Sequence, residues 1–284
     1  MAVERELTIR GQRLSFKEWG SPDQPTVLAL HGWLDNANSF DALASQLPGV
    51  HLIAVDLPGH GLSGHRAASG TYNIWDDLPD LSVLISTLGL ERFGLIGHSR
   101  GAMIATLLAA VEGERVSRLV LLDGLAAPPF EAAQLPDQLR RFVHDYGNRQ
   151  VGAARVYDSV ESAISARCKA TGINREAALQ LVPRSLQSNG EGSVWRNDPR
   201  LRYASALKLS GEQCRELITQ IHASTLLILA QQGNGPLIAK LPYLEAFRQL
   251  TTKTVDGCHH CHMLAESTEI AGAIRDHLNA SQPS

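Results

Sequence analysis

The pentapeptide Gly97-His98-Ser99-Arg100-Gly101 sets one serine between two glycines, and its surroundings give it meaning. The apolar, strand-like run Phe93-Gly94-Leu95-Ile96 precedes it, and the helix-like Ala102-Met103-Ile104-Ala105-Thr106-Leu107-Leu108 follows it. A serine on a tight strand-to-helix turn presents its hydroxyl at the top of a sheet. The helix starting behind it offers backbone N–H groups and the positive end of a dipole where an oxyanion would form. Glycines on both sides let the chain turn sharply and let strand and helix approach. A glycine-rich turn alone would explain the short pattern but not its strand and helix context. Because a serine at its ordinary pKa is a weak nucleophile, the chemistry also needs a histidine to take its proton and a carboxylate to orient that histidine.

Candidates for both partners lie downstream. The segment Val255-Asp256-Gly257-Cys258-His259-His260-Cys261-His262-Met263 offers three histidines. His259 and His260 both qualify as the base, whereas His262 reads as a packing residue at the start of a helix. Cys258 and Cys261 with interleaved histidines also have the spacing of a zinc or redox motif, but a structural zinc site takes four convergent ligands and no second Cys/His pair exists. No metal is expected. For the carboxylate, Asp123-Gly124 ends the apolar run Leu119-Val120-Leu121-Leu122, at the sheet edge where α/β folds gather ligand-binding residues. The rival reading is a carboxylate capping a turn.

The elements that must position these residues are legible as apolar runs at Thr26–Leu30, Val50–Leu57, Phe93–Ile96, Val116–Leu122, Ser224–Ala230 and Lys253–Val255. Continuous apolar runs alternating with helix-like segments are the pattern of a parallel sheet buried on both faces. The helices are expected around Asn38–Leu47, Trp75–Leu88, Ala102–Val111, Leu241–Leu250 and Thr268–Leu278. Two short runs, Leu7–Ile9 and Leu14–Phe16, predict an opening hairpin at one edge. Between Ala126 and His222 the rhythm breaks: a long interval that begins Pro128-Pro129 carries helix-like, polar segments without an evident buried strand, which reads as a helical cap. Its Arg140, Arg141, Arg149 and Arg155 are expected to form a solvated face, and the C-terminal Asn279–Ser284 to fray.

With 284 residues, a formal net charge of −3 and a pI near 6.4, the chain has no strong field to draw nucleic acid or an anionic membrane. The expected partner is a neutral small molecule, and a homodimer is compatible with the sequence. The N-terminus, Met-Ala-Val-Glu-Arg-Glu, is charged where a secretory signal is apolar, and no run approaches the roughly 20 apolar residues of a membrane span. A soluble, cytoplasmic protein is expected. Its four cysteines, Cys168, Cys214, Cys258 and Cys261, are expected to be reduced thiols.

Taken together, His31-Gly32-Trp33, Asp56 to Ser63, Gly97 to Gly101 and the Gly257–Met263 segment resemble the α/β-hydrolase superfamily across nearly the whole chain. With Asp123-Gly124, the stretch Val194-Trp195-Arg196-Asn197-Asp198-Pro199-Arg200-Leu201 is more narrowly similar to the serine hydrolase-like subfamily. The resemblance implies an α/β fold with a mostly parallel eight-stranded sheet flanked by helices, residues 1–125 and 223–284 forming the core and 126–222 the inserted cap. It implies the chain order serine, acid, histidine, and places the base at His259, one residue after the Gly257-Cys258 pair. The usual acid position in such folds is the loop after Thr225–Ala230, here Gln231-Gln232-Gly233-Asn234-Gly235-Pro236, which holds no carboxylate. Asp123 is therefore expected to act from the neighbouring strand end, as in some dehalogenase relatives, with Asn234 as a neutral alternative partner. The backbone N–H groups of Trp33 and Arg100 are implied to form the oxyanion hole, with His31 as a brace and the Asp56–Ser63 loop as structural. Related epoxide hydrolases and haloalkane dehalogenases use an aspartate where Ser99 stands, which argues against both activities. The expected activity is a cofactor-free carboxylesterase working through an acyl-enzyme on a small, largely apolar ester. Trp33, Phe130, Phe142, Tyr146 and Trp195 are candidates for its pocket. A lactone, thioester or carbon–carbon bond hydrolase with the same triad, and a non-enzymatic ligand receptor on this fold, are the rivals.

Overall fold

The computed structural model describes residues 2–126, 129–148 and 154–280. Pro128, Arg149 and Ser281–Ser284, which figure in the expectations above, lie outside them. Among the described residues there are ten strands: β1 (Val3–Ile9), β2 (Gln12–Trp19), β3 (Thr26–Leu30), β4 (His51–Val55), β5 (Phe93–His98), β6 (Val116–Leu122), β7 (Leu186–Ser188), β8 (Ser193–Trp195), β9 (Ser224–Gln232) and β10 (Leu250–Cys258). Eight form one sheet in the order β1-β2-β4-β3-β5-β6-β9-β10. Strand β2 is antiparallel to both neighbours and every later pairing is parallel.

The helices are α1 (Asp41–Ala44), α2 (Leu78–Thr87), α3 (Arg100–Glu112), α4 (Leu135–Asn148), α5 (Val160–Thr171), α6 (Arg175–Leu181), α7 (Gly211–Thr219), α8 (Gly235–Ile238) and α9 (Ser267–Asn279). Alternation along the inner strands explains their continuous apolar runs, because successive side chains leave opposite faces. Leu119 and Leu121 of β6 join one core with residues of α2, α3 and α7, while Val120 and Leu122 join another with Leu43 of α1 and Ile270, Ala271 and Ile274 of α9.

One expected helix is not formed. Over Leu241–Leu250 the chain makes a short 3₁₀ turn at Leu244–Ala246 and then enters β10. Tyr243 and Phe247 instead pack into the first core from an irregular segment. The interval 126–222 holds α4, α5, α6 and α7 and also the hairpin β7–β8, whose three-residue strands are too short to register as a periodic signal. Helices α5 and α6 with Leu186 close a separate apolar cluster, which Met263 joins from the segment after β10. Helix α7, by contrast, places Cys214 and Ile218 in the core of the main sheet.

Leu121 is fully buried in a central strand. Leu121→Ala should lower unfolding free energy by about 2–5 kcal/mol. Urea titration checks this, and an unchanged midpoint would show that the sheet core is loosely packed here.

Candidate active site

Strand β5 lies between β3 and β6, and its last residue delivers the chain to Ser99. The backbone there has φ 52° and ψ −115°, and α3 starts at Arg100. A non-glycine residue in that region is strained, and the strain is sustained by neighbours on every side. The Ser99 N–H donates to the Leu122 carbonyl, and its own carbonyl accepts from Ala102 and Met103. A Cβ at Gly101 would lie 2.0 Å from the carbonyl oxygen of Leu30, so only glycine lets α3 press this closely on the end of β3.

Asp123 is held in the same manner at the end of β6. Its φ is 43° and its N–H donates to the Ile228 carbonyl. At the next position a Cβ on Gly124 would fall 2.6 Å from the Ser99 carbonyl oxygen. The Asp123 side chain is 2% exposed. Its Oδ1 accepts from the Ala230 N–H at 3.0 Å, and its Oδ2 accepts from the Asn234 N–H at 2.8 Å and from His259 Nδ1 at 2.6 Å. Strand β9 and the loop that lacks a carboxylate thus supply one backbone donor each to a carboxylate from the adjacent strand.

His259 follows β10 directly, and its Nε2 lies 2.8 Å from Ser99 Oγ. With its proton held on Nδ1 by Asp123, Nε2 carries the lone pair that accepts from the serine hydroxyl. The Nδ2 of Asn234 also lies 3.3 Å from His259 Nδ1. That amide is a donor facing a donor, so the carboxylate is the partner the Nδ1–H requires. His260 is turned away and donates from Nε2 to Asp35 at 3.2 Å, and His262 is fully buried against the Ser39 hydroxyl. Ser99, His259 and Asp123 are together in one hydrogen-bonded line.

A model of the alpha/beta hydrolase fold matches residues 25–264. The chain belongs to the alpha/beta hydrolase family. It is 31% identical over 81% of its length to "Serine hydrolase-like protein 2" of Homo sapiens, covering 76% of that protein, which places it in the serine hydrolase-like branch. Among solved structures it is similar to a hypothetical protein of Pseudomonas aeruginosa PAO1, with 36% identity, 97% of each chain covered and a TM-score of 0.88. It is also similar to the thioesterase domain from the curacin biosynthetic pathway, with 26% identity, a TM-score of 0.82 and coverage of 96% of this chain and 99% of that one.

Trp33 and Arg100 follow β3 and β5, whose register pairs Leu30 with Gly97, so both lie just above the same level of the sheet. The Trp33 indole donates to the Leu201 carbonyl at 2.8 Å, and Leu34 takes a positive φ of 61°. The Arg100 guanidinium donates to Asp77 at 3.0 Å and to the Tyr72 carbonyl at 3.3 Å, pinning the first residue of α3. His31 Nε2 accepts from the Leu57 N–H and so braces the next loop. Asp56 accepts from the N–H groups of Ala37 and Leu62 and from Arg184. A cavity of about 620 Å³ is lined by Ile74, Trp75, Met103, Phe130, Leu207 and Leu209, with Gln134, Arg141 and Lys208 among its polar residues. Met103 lies one turn beyond Ser99 on α3. Of the aromatic pocket candidates Phe130 lines this cavity, whereas Phe142 packs on Tyr146, and Trp195 packs on Tyr157 and donates to its hydroxyl.

Sequence reasoning passed over Asp35 and His98, both buried beside this site. Burial pushes the imidazole of His98 down to about 4, and it lowers His31, His60 and His262 as well. Burial alone would raise the Asp35 carboxyl, but His260 and His98 hold it well below its ordinary range.

These four depressed histidines, together with His277, which burial also lowers, make stability depend on pH. Their folded-state pKa values lie below the unfolded value near 6.5, so between that value and about 4 for His98 the unfolded chain binds more protons. Stability is therefore present above about pH 6.5 and is lost as the pH falls. The urea midpoint should drop between pH 7 and pH 5; a flat midpoint across this range would contradict burial of these rings in neutral form.

Proposed function

We propose that the protein is a serine carboxylic-ester hydrolase acting through an acyl-enzyme on a small, largely apolar ester. The observation that carries this reading is the line from Asp123 through His259 to Ser99, at 2.6 and 2.8 Å. His259 takes the proton of Ser99 as Oγ attacks the ester carbonyl. The resulting oxyanion is received by the backbone N–H groups of Trp33 and Arg100, the latter at the N-terminus of α3. As the intermediate collapses, His259 returns the proton to the departing alcohol, leaving the acyl group on Oγ. A water then repeats the sequence, giving its proton to His259, and the carboxylic acid leaves as Oγ is reprotonated. Asp123 holds the imidazole tautomer throughout and stabilises its cation. No cofactor enters this sequence, and a cytoplasmic setting suits the four free thiols.

The cavity beside Met103 suits an apolar group with some polar contacts. A thioester is the second reading, favoured by the likeness to the curacin thioesterase domain. Both bonds pass through the same acyl-enzyme.

Treatment with a fluorophosphonate probe should add one phosphonyl group, read by intact mass, and Ser99→Ala should show none. On a panel of p-nitrophenyl esters, matched thioesters and lactones, Ser99→Ala should lower kcat at least about 10⁴-fold. Turnover of thioesters in preference to esters would select the second reading. Probe labelling that survives Ser99→Ala would overturn Ser99 as nucleophile.

A further inference from the structure

Behind the triad lies a second buried carboxylate, Asp35, 1% exposed. Its Oδ1 accepts from Nη2 of Arg167 at 3.0 Å, a side chain reaching in from α5. Its Oδ2 accepts from His260 Nε2 at 3.2 Å and lies 3.6 Å from His98 Nδ1. These two histidines are the chain neighbours of the reacting groups: His98 precedes Ser99 and His260 follows His259. His98 Nε2 also donates to the backbone carbonyl of His259 at 2.9 Å, which puts its proton on Nε2 and turns the unpartnered Nδ1 toward Asp35. The rings pack closely, His98 lying 4.7 Å from His259 and 5.0 Å from His260 between centroids.

We infer that Asp35 is a positioning residue: through the Nε2–H of His260 it fixes where the His259 ring meets Ser99, and through Arg167 it ties that placement to helix α5. His259 is gripped at three points, its ring nitrogen by Asp123, its carbonyl by His98 and its neighbour's ring by Asp35. The first grip sets the ring's rotation, and the other two set the height of the backbone that carries it. An offset of about 1 Å between reacting groups costs on the order of 100-fold in rate. Arg167 neutralises Asp35 in the interior, so removing either alone leaves an uncompensated buried charge. The informative variant changes both.

The kinetic part of the test rests on the serine-hydrolase reading. Asp35→Asn combined with Arg167→Met should lower kcat and the fluorophosphonate labelling rate roughly 10- to 100-fold. KM and the number of titratable active sites should stay at the wild-type level, and Arg175→Ala, an exposed change nearby in the cap, should alter nothing. A double variant with wild-type kcat, or one whose loss is only a loss of titratable sites, would overturn the inference. So would a stoichiometric divalent ion in wild-type protein whose removal by chelator reproduces the defect, since the ion rather than the carboxylate would then organise the histidines. Should wild-type protein label with the probe but hydrolyse no ester, the proposed function fails while the labelling rate still reads Asp35. Should it not label at all, the downfield proton resonance of His259 Nδ1, identified by its loss in Asp123→Asn, reads the ring's placement without a substrate. That resonance should move in the double variant, and an unmoved one would overturn the inference.

Discussion

The constraint on which the rest depends is the crowding of three chain segments around Ser99. The ends of β3 and β6 and the first turn of α3 meet at backbone distance, close enough that added Cβ atoms at Gly101 and Gly124 would overlap carbonyl oxygens. That crowding holds Ser99 at φ 52°, a conformation worth of order 1–3 kcal/mol in strain, which persists only because its surroundings leave no alternative. Asp123 is in a similar condition at φ 43°. Two strained residues on adjacent strands thus bring nucleophile and carboxylate to one edge of the sheet, and a flat strand end at either would move a reacting group away from His259.

The carboxylate shows how a missing residue in one loop is offset by another. The loop after β9 contains no acid, yet its Asn234 N–H joins that of Ala230, in β9 itself, to grip both oxygens of Asp123. His259 thus meets a fixed charge anchored by β6, and the loop's part is to orient that charge. The loop after β3 is similarly fixed from outside: Asn36 donates to the Leu181 carbonyl and to Ser185, Asn38 to the Gln180 carbonyl, and Trp33 to that of Leu201. The segment carrying one implied oxyanion donor is therefore bonded to residues between 180 and 201.

Much of this was legible because it is local. The strand–serine–helix succession, the apolar strands buried on both faces and the absence of an acid in Gln231–Pro236 can all be read within ten residues. The resemblance then separated His259 from His260, which spacing alone left open. What could not be read depends on distant partners. Arg167 and Asp35 stand 132 positions apart, and no period or motif links them. Tyr243 and Phe247 carry the apolar spacing that suggested a helix over Leu241–Leu250, because they fill the core from an irregular segment. The three-residue strands β7 and β8 are likewise too short to leave a pattern.

The account stands most directly on Asp123 as the partner of His259, and one pair of kcat measurements on a hydrolysed ester tests it. Asp123→Asn should lower kcat by roughly 10³- to 10⁴-fold, through the wrong imidazole tautomer. Adding Asn234→Asp, whose side chain starts 3.3 Å from His259 Nδ1, should restore at least about tenfold of that loss, since a carboxylate would again face the ring. Wild-type kcat in Asp123→Asn would contradict the account, for it would mean that His259 is oriented by something other than the carboxylate at the end of β6.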